Sequence, residues 1–133
     1  MTGVAYVDSS ALLKLVVAEP ETSALEADLA GREGLVASRL AALECRRAAR
    51  RTSNRRVLQA VEQVLDAIYL LDITPAILDR AAVADPPLLQ SLDAIHLATA
   101  VSIDEPALDV ITYDRRLAEA ALAAGLRVVQ PGR

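Results

Sequence analysis

The chain has 133 residues, of which 53% are hydrophobic and only 2% aromatic, so its length suits one compact domain. This apolar content excludes a disordered chain and requires a core of leucine, valine, isoleucine and alanine. The net charge of −4 argues against nucleic-acid binding through bulk positive charge.

Short β-type runs alternate with longer helical patterns along the chain. In chain order the predicted elements are a strand at 3–8, a helix at 9–18, a helix at 20–31, a strand at 35–38, helices at 39–51 and 55–67, a strand at 69–73, helices at 75–84 and 88–102, a strand at 108–112, a helix at 114–125 and a strand at 126–130. Ser9 or Ser10 is the expected cap of the first helix, and Gly31 and Gly125 are expected to stop the second and the last.

Strands that alternate with helices predict an α/β fold with a mostly parallel central sheet of about five strands, covered by helices on both faces. We expect residues 1–133 to form a single domain of this three-layer α/β/α type. In such a sheet the carboxyl ends of the strands share one edge, and ligand sites lie in the crevice there.

Two aspartates follow predicted strands at that edge. Asp8 ends the first strand, and Asp114 follows the fourth strand and opens the last helix. Taken singly, each also fits a helix N-cap, which stabilises a helix by about 1 kcal/mol.

Two further acids lie in predicted helices. Asp93 belongs to the apolar segment SLDAIHLATAV, where a buried carboxylate needs a partner; alternatively, Ser91 caps this helix and Asp93 occupies its first turn. Glu44 is the only acid in an arginine-rich helix, and the alternative role for Glu44 is a surface salt bridge with Arg47.

The four acids together indicate a metal site. Four converging carboxylates would repel one another without a cation, and oxygen-only ligands suit Mg²⁺ or Mn²⁺. Such an ion can acidify water and stabilise the charge that develops on a phosphate. The sequence leaves open whether one ion or two would bind.

The segments that carry these acids resemble the four acidic motifs of PIN domains. They are YVDSSALLKL at 6–15, Glu44 after LVAS, SLDAIHLATA at 91–100 and VITYDRRLAEAA at 110–121. The pattern covers essentially the whole chain and is most similar to the VapC-type toxin ribonucleases of bacterial toxin–antitoxin pairs.

This resemblance implies a PIN-like three-layer sandwich and a metal-dependent endoribonuclease. It assigns Asp8, Glu44, Asp93 and Asp114 as catalytic and metal-binding acids, with Ser10 and Thr112 as supporting residues. It also implies a homodimer, silenced by a VapB-type antitoxin, that acts on RNA such as transfer RNA.

Arginines are the candidate RNA contacts. Residues 39–56 contain seven arginines and one acid, and two more arginines follow Asp114 directly. The candidates are Arg46, Arg47, Arg50, Arg115 and Arg116; a solvated helical face or an antitoxin surface would explain the first three equally well. His96 is expected to be a helix residue beside the site rather than a catalytic base.

Three other functions share part of this pattern. A phosphotransferase of the haloacid dehalogenase type needs a second aspartate where Ser10 stands, and a receiver domain needs a late lysine, whereas the only lysine is Lys14. The remaining alternative is a catalytically weak or inactive PIN-fold protein that acts mainly as an antitoxin- or RNA-binding module.

The sequence also predicts a location in the cell. A lone cysteine, the absence of a leader pattern and the lack of a long apolar run favour the cytoplasm over secretion or the membrane.

Overall fold

A computed structural model describes residues 3–133, which form five strands and seven helices. The strands are β1 (Val4–Val7), β2 (Gly34–Ser38), β3 (Tyr69–Leu71), β4 (Asp109–Ile111) and β5 (Arg127–Val129). The helices are α1 (Ser9–Lys14), α2 (Thr22–Ala30), α3 (Arg39–Thr52), α4 (Arg55–Asp66), α5 (Pro75–Ala82), α6 (Ser91–Ser102) and α7 (Arg115–Ala123). No helix in this described part is long and apolar enough to cross a membrane.

All five strands run parallel in the order β3-β2-β1-β4-β5. The chain therefore builds outward from β1 to β3 and then returns to the other side of β1 with β4 and β5. This reversal makes the carboxyl ends of β1 and β4 the topological switch point, where open α/β sheets bind their ligands. The predicted parallel five-stranded α/β fold is confirmed.

Alternate residues of β1 face two separate helical layers. Ala5 and Val7 pack into a cluster with residues of α1, α3 and α4, whereas Tyr6 packs with Ala100 of α6 and Val110 of β4. This alternation is the period-two pattern of a strand buried on both faces. It places Tyr6, next but one to Asp8, on the side of the sheet that α6 covers.

Helix α1 is shorter than the sequence predicts and has a different cap. It ends at Lys14 rather than near residue 18. The chain continues as a turn in which the Val16 N–H donates to the Leu13 carbonyl at 3.1 Å, and the Thr22 hydroxyl satisfies the Lys14 carbonyl at 2.7 Å. Its N-cap is Asp8, not Ser9 or Ser10, since the Asp8 carboxylate accepts the Ala11 N–H at 3.1 Å.

Helix α6 also starts later than predicted, at Ser91. Residues before it form a turn in which the Leu89 N–H donates to the Pro86 carbonyl at 2.9 Å. Gln90 occupies the N-cap position without a side-chain cap, so Ser91 does not cap α6, and Asp93 lies in the first turn. A carboxylate there is favoured by the positive end of the helix dipole.

Candidate active site

The carboxyl edge of the sheet brings the four predicted acids into one neighbourhood. Asp8 follows β1, and Asp114 lies just beyond β4 as the N-cap of α7. Glu44, Asp93 and Asp114 line an open cleft of 480 Å³. Asp8 is only 3% exposed and does not line that cleft, but its charge raises the pKa of Asp93.

Asp8 is held by two hydroxyl groups, one on each carboxylate oxygen. Ser10 Oγ donates to Oδ1 and Thr112 Oγ1 donates to Oδ2, both at 2.6 Å. The same hydroxyl oxygens accept the backbone N–H groups of Tyr113 at 2.9 Å and Asp114 at 3.1 Å. Each hydroxyl has a single hydrogen, which it donates to Asp8, and it accepts the backbone N–H with a lone pair.

Burial nevertheless raises the pKa of Asp8, against the hydrogen bonds from Ser10 and Thr112 that favour its charged form. The pKa of Asp93 is raised first by burial and then by the charge of Asp114, with smaller contributions from Asp8 and Glu44. Asp8 and Asp93 are therefore destabilised in their ionised form, and the like charges of neighbouring acids contribute to this effect at Asp93.

Asp114 is fixed from its own helix. Its Oδ1 accepts the backbone N–H groups of Arg116 at 2.9 Å and Leu117 at 3.1 Å. Asp8 and Asp114 are thus both helix N-caps, as the alternative interpretation of each residue predicts, and both carboxylates lie at helix N-termini beside the cleft. A capping role and a place at the switch point do not exclude each other.

Glu44 pairs with His96 rather than with Arg47. Its Oε1 lies 2.7 Å from His96 Nε2, and His96 Nδ1 lies 2.7 Å from the Tyr6 hydroxyl. Tyr6 and His96 are 0% and 3% exposed, and burial raises the pKa of Tyr6 further above its usual range. The sequence did not predict this chain of contacts; the only signal for it was a histidine and a tyrosine in segments that otherwise form the core.

Among residues 3–133, no group of three or more histidine, cysteine or acidic side chains is arranged to hold one metal ion together. The acids of the cleft also have no lysine or arginine ion-pair partner within this range. The donor set consists of carboxylate oxygens, which suits a hard cation that keeps part of its water shell.

The predicted arginine contacts fall into two groups. Arg115 and Arg116 line the cleft with the acids. Arg46 is paired with Glu62 at 2.8 Å on the surface, while Arg47 and Arg50 are exposed and have no ion pair in the described chain. Of the five candidate arginines, Arg115 and Arg116 therefore share the cleft with the acids, whereas the other three lie elsewhere on the surface.

Tyr113 follows Thr112 but is not available for stacking with a base. Its side chain is largely buried, and its hydroxyl donates to the Pro131 carbonyl at 2.7 Å. The Lys14 ammonium and the Arg133 guanidinium lie over its ring at 4.7 and 5.2 Å.

Comparisons with known proteins agree with this architecture. The PIN domain family model matches residues 5–122. The chain is 43% identical to ribonuclease VapC35 of Mycobacterium tuberculosis and 39% identical to ribonuclease VapC46 of the same organism. These similarities cover 96% of this chain and 96% of VapC35, and 95% of this chain and 96% of VapC46.

Solved structures share the fold over nearly the same length. A toxin–antitoxin complex from Klebsiella pneumoniae matches with a TM-score of 0.70 at 25% identity, covering 96% of this chain and 97% of that one. Mycobacterium tuberculosis VapC20, described as a toxin that cleaves the sarcin–ricin loop, matches with a TM-score of 0.71 at 18% identity, covering 96% and 99%. The chain therefore belongs to the PIN-domain family, within its VapC-type members.

Proposed function

We propose that this protein is a metal-dependent endoribonuclease that acts as the toxin of a toxin–antitoxin pair. The observation that carries the proposal is the set of four acids at the switch point, none of which has a lysine or arginine ion pair in the described chain. The curated relatives named ribonucleases support hydrolysis of RNA as the reaction.

A divalent cation, Mg²⁺ or Mn²⁺, is the proposed compensation for these charges, with Asp8, Glu44, Asp93 and Asp114 as its candidate ligands. Mg²⁺ commonly keeps several waters and uses only one or two carboxylates directly. A site without three preassembled ligands suits such a partly hydrated ion. When bound, the ion would supply acidified water and neutralise charge on the phosphate.

The residues around the acids have separate proposed roles. Ser10 and Thr112 orient Asp8 by donating a hydrogen bond to each of its oxygens. Arg115 and Arg116 line the same cleft and are the proposed phosphate contacts; Arg116 is the stronger candidate, because Arg115 also pairs with Glu119 at 3.0 Å. Recognition of the RNA backbone and shape is favoured over base stacking, because Tyr113 is occupied by its own contacts.

Arg46, Arg47 and Arg50 are a weaker part of the RNA proposal. Arg46 is already paired with Glu62, so it offers less to a phosphate than the exposed Arg47 and Arg50. Replacing Arg116 should weaken RNA binding more than replacing Arg47, and binding measured over a range of salt concentrations compares the two.

The proposed partners are a VapB-type antitoxin and a second copy of the chain, acting in the cytoplasm. Val83, which is 78% exposed, lines a groove between α5, α6 and α7, and Leu88, which is 94% exposed, lines a second groove between the turn before α6 and α7. Such surfaces on a soluble domain commonly mark protein interfaces. Light scattering of the purified toxin, alone and with its antitoxin, tests both assemblies.

The test of the activity is cleavage-site sequencing of total cellular RNA incubated with the purified protein and Mg²⁺ or Mn²⁺. We expect discrete new RNA ends that disappear with EDTA. Asp8→Asn should lower cleavage on the order of 10²- to 10⁴-fold, the range for loss of a group that handles charge or protons in a transition state.

Asp79→Asn is the matched control, because it makes the same charge change at an exposed position of α5. It should cleave like the wild type. Equal cleavage by wild type and Asp8→Asn would contradict the proposed site. No cleavage by either, together with unchanged antitoxin binding, would favour the alternative of an inactive binding module.

A further inference from the structure

The contacts of Glu44 assign a role to two residues outside the four acids. We propose that Tyr6 and His96 are positioning residues that fix Glu44 for the cation and so set the affinity of the site. This inference rests on the proposed function, because it concerns the same acids.

The three side chains come from three elements and form one continuous path. Tyr6 lies in the central strand β1, His96 in α6 and Glu44 in α3. The path has two hydrogen-bond contacts of 2.7 Å, and the rings of Tyr6 and His96 meet edge to face with centroids 6.1 Å apart. It runs from the fully buried interior of the sheet to the cleft.

The chemistry of the Glu44–His96 pair shows which atom donates the hydrogen bond between them. An ionised carboxylate can only accept hydrogen bonds, so His96 Nε2 must carry the hydrogen that lies between them. When the ring is neutral, Nδ1 then has no hydrogen and accepts the Tyr6 hydroxyl. The carboxylate therefore fixes the nitrogen that donates to Glu44, and the buried phenol fixes the orientation of the imidazole.

This arrangement leaves one carboxylate oxygen of Glu44 for a ligand. Oε1 is occupied by His96, while Oε2 has no hydrogen bond within the described residues. The Glu44 side chain is 26% exposed and lines the cleft. A glutamate on a helix surface has several rotatable bonds, and holding one oxygen restricts where the other can point.

Glu44 is thus supported in the same manner as Asp8, by different groups. Asp8 is oriented by two hydroxyls and Asp114 by two backbone N–H groups, whereas Glu44 depends on an imidazole backed by a phenol. Partners that orient metal-binding side chains typically change metal affinity or activity by about 10- to 100-fold when removed.

The test compares two replacements of His96 by Mn²⁺ titration calorimetry on the full chain. His96→Gln places an amide N–H near the position of Nε2 and keeps a donor for Glu44. His96→Asn is too short to reach Glu44 but keeps a polar group near Tyr6. We expect His96→Asn to weaken Mn²⁺ binding by about 10- to 100-fold and His96→Gln to recover most of that loss.

Two matched tyrosine variants guard against a general loss of stability. Tyr6→Phe and Tyr113→Phe each remove a buried hydroxyl that makes one 2.7 Å contact, but only Tyr6 acts on the path to Glu44. Tyr6→Phe should weaken Mn²⁺ binding several-fold, whereas Tyr113→Phe should leave it unchanged. Melting temperatures in EDTA measure the structural cost of each variant separately.

A double-mutant cycle identifies the residue through which His96 acts. In a Glu44→Gln background, His96→Asn should cause no further loss of Mn²⁺ affinity. Additive losses, equal weakening by His96→Asn and His96→Gln, or a change in melting temperature alone would overturn the proposal. Absence of Mn²⁺ binding and RNA cleavage by the wild type would instead overturn the proposed function.

Discussion

At the amino edge of the sheet, Asp109 is buried between two arginines, whereas at the carboxyl edge Asp8 is buried among hydroxyls and other acids. Asp109 is 1% exposed; its Oδ2 accepts Arg32 Nη1 at 2.5 Å, and Arg127 Nε lies 3.0 Å from its Oδ1. Arg32 also pairs with Asp28 at 2.9 Å, which joins α2 to the first residues of β4 and β5. The positive charges that compensate Asp109 are therefore supplied by arginine side chains of the protein itself.

At the carboxyl edge, no lysine or arginine of the described chain forms such an ion pair with Asp8. A buried carboxylate is costly unless it is paired, hydrogen-bonded or bound to a metal, and here hydrogen bonds alone support Asp8. Asp109 has arginine partners within the fold, whereas burial raises the pKa of Asp8, and burial together with the charge of Asp114 raises the pKa of Asp93. The difference separates an acid whose charge the fold compensates from acids whose charge has no lysine or arginine partner in the described chain.

Removing the arginine at the amino edge should have the largest effect on stability. The Arg32 side chain is 0% exposed, and Arg32→Gln would leave Asp109 without its close partner. We expect a loss of about 3–5 kcal/mol in the free energy of unfolding, measured by urea denaturation. Mn²⁺ affinity should not change; a weaker site in this variant would mean that the two edges are coupled.

The metal-free protein should show an effect of pH that originates at the carboxyl edge. Because the folded-state pKa of Asp8 and Asp93 is raised, their contribution to stability is complete below the ordinary carboxyl pKa of about 4 and is lost as the pH rises through the folded-state pKa. Asp8→Asn should therefore gain stability relative to the wild type as the pH increases.

This comparison is made in EDTA and as a difference between the two proteins. Other carboxyls act in the opposite direction, such as Glu21, whose pKa is lowered to about 2 by Arg133 and Lys14. Subtracting the Asp8→Asn curve from the wild-type curve removes their contribution. If the difference in stability between the wild type and Asp8→Asn does not vary with pH, ionisation of Asp8 does not destabilise the fold.

Arg127 offers the smallest effect and a direct contrast with Arg32. Its side chain is 56% exposed, and although it is within ion-pair distance of Asp109 Oδ1, that oxygen has no hydrogen bond within the described residues. Arg127→Gln should cost below about 1 kcal/mol, as for exposed ion pairs. Urea denaturation beside Arg32→Gln checks this, and equal losses would refute the distinction between the two arginines.

The sequence predicted the layers of the fold because strands buried on two faces read as short apolar runs between helical patterns. It placed Asp8 and Asp114 at one edge because parallel strands share their carboxyl ends. The predicted end of α1 was wrong. The helix stops at Lys14, whose carbonyl accepts the Thr22 hydroxyl, and a hydrophobic pattern does not reveal such a contact.

Pairings across long stretches of chain were beyond sequence reasoning. Glu44 and His96 are 52 residues apart, and the sequence suggested Arg47 because it lies on the same helix. Arg32 and Asp109 are 77 residues apart and carried no motif at all. Each partner depends on how helices pack on the sheet, which a hydrophobic pattern constrains only to a face.

The most direct test of the cation site is Mn²⁺ titration calorimetry with the wild type, Asp93→Asn and the control Asp79→Asn. Asp93 lies in the cleft with Glu44 and Asp114, while Asp79 is exposed on α5. We predict saturable binding by the wild type and Asp79→Asn, and binding lost or at least about 10-fold weaker in Asp93→Asn. Absence of Mn²⁺ binding by the wild type at millimolar concentration, or equal binding by all three proteins, would contradict the account.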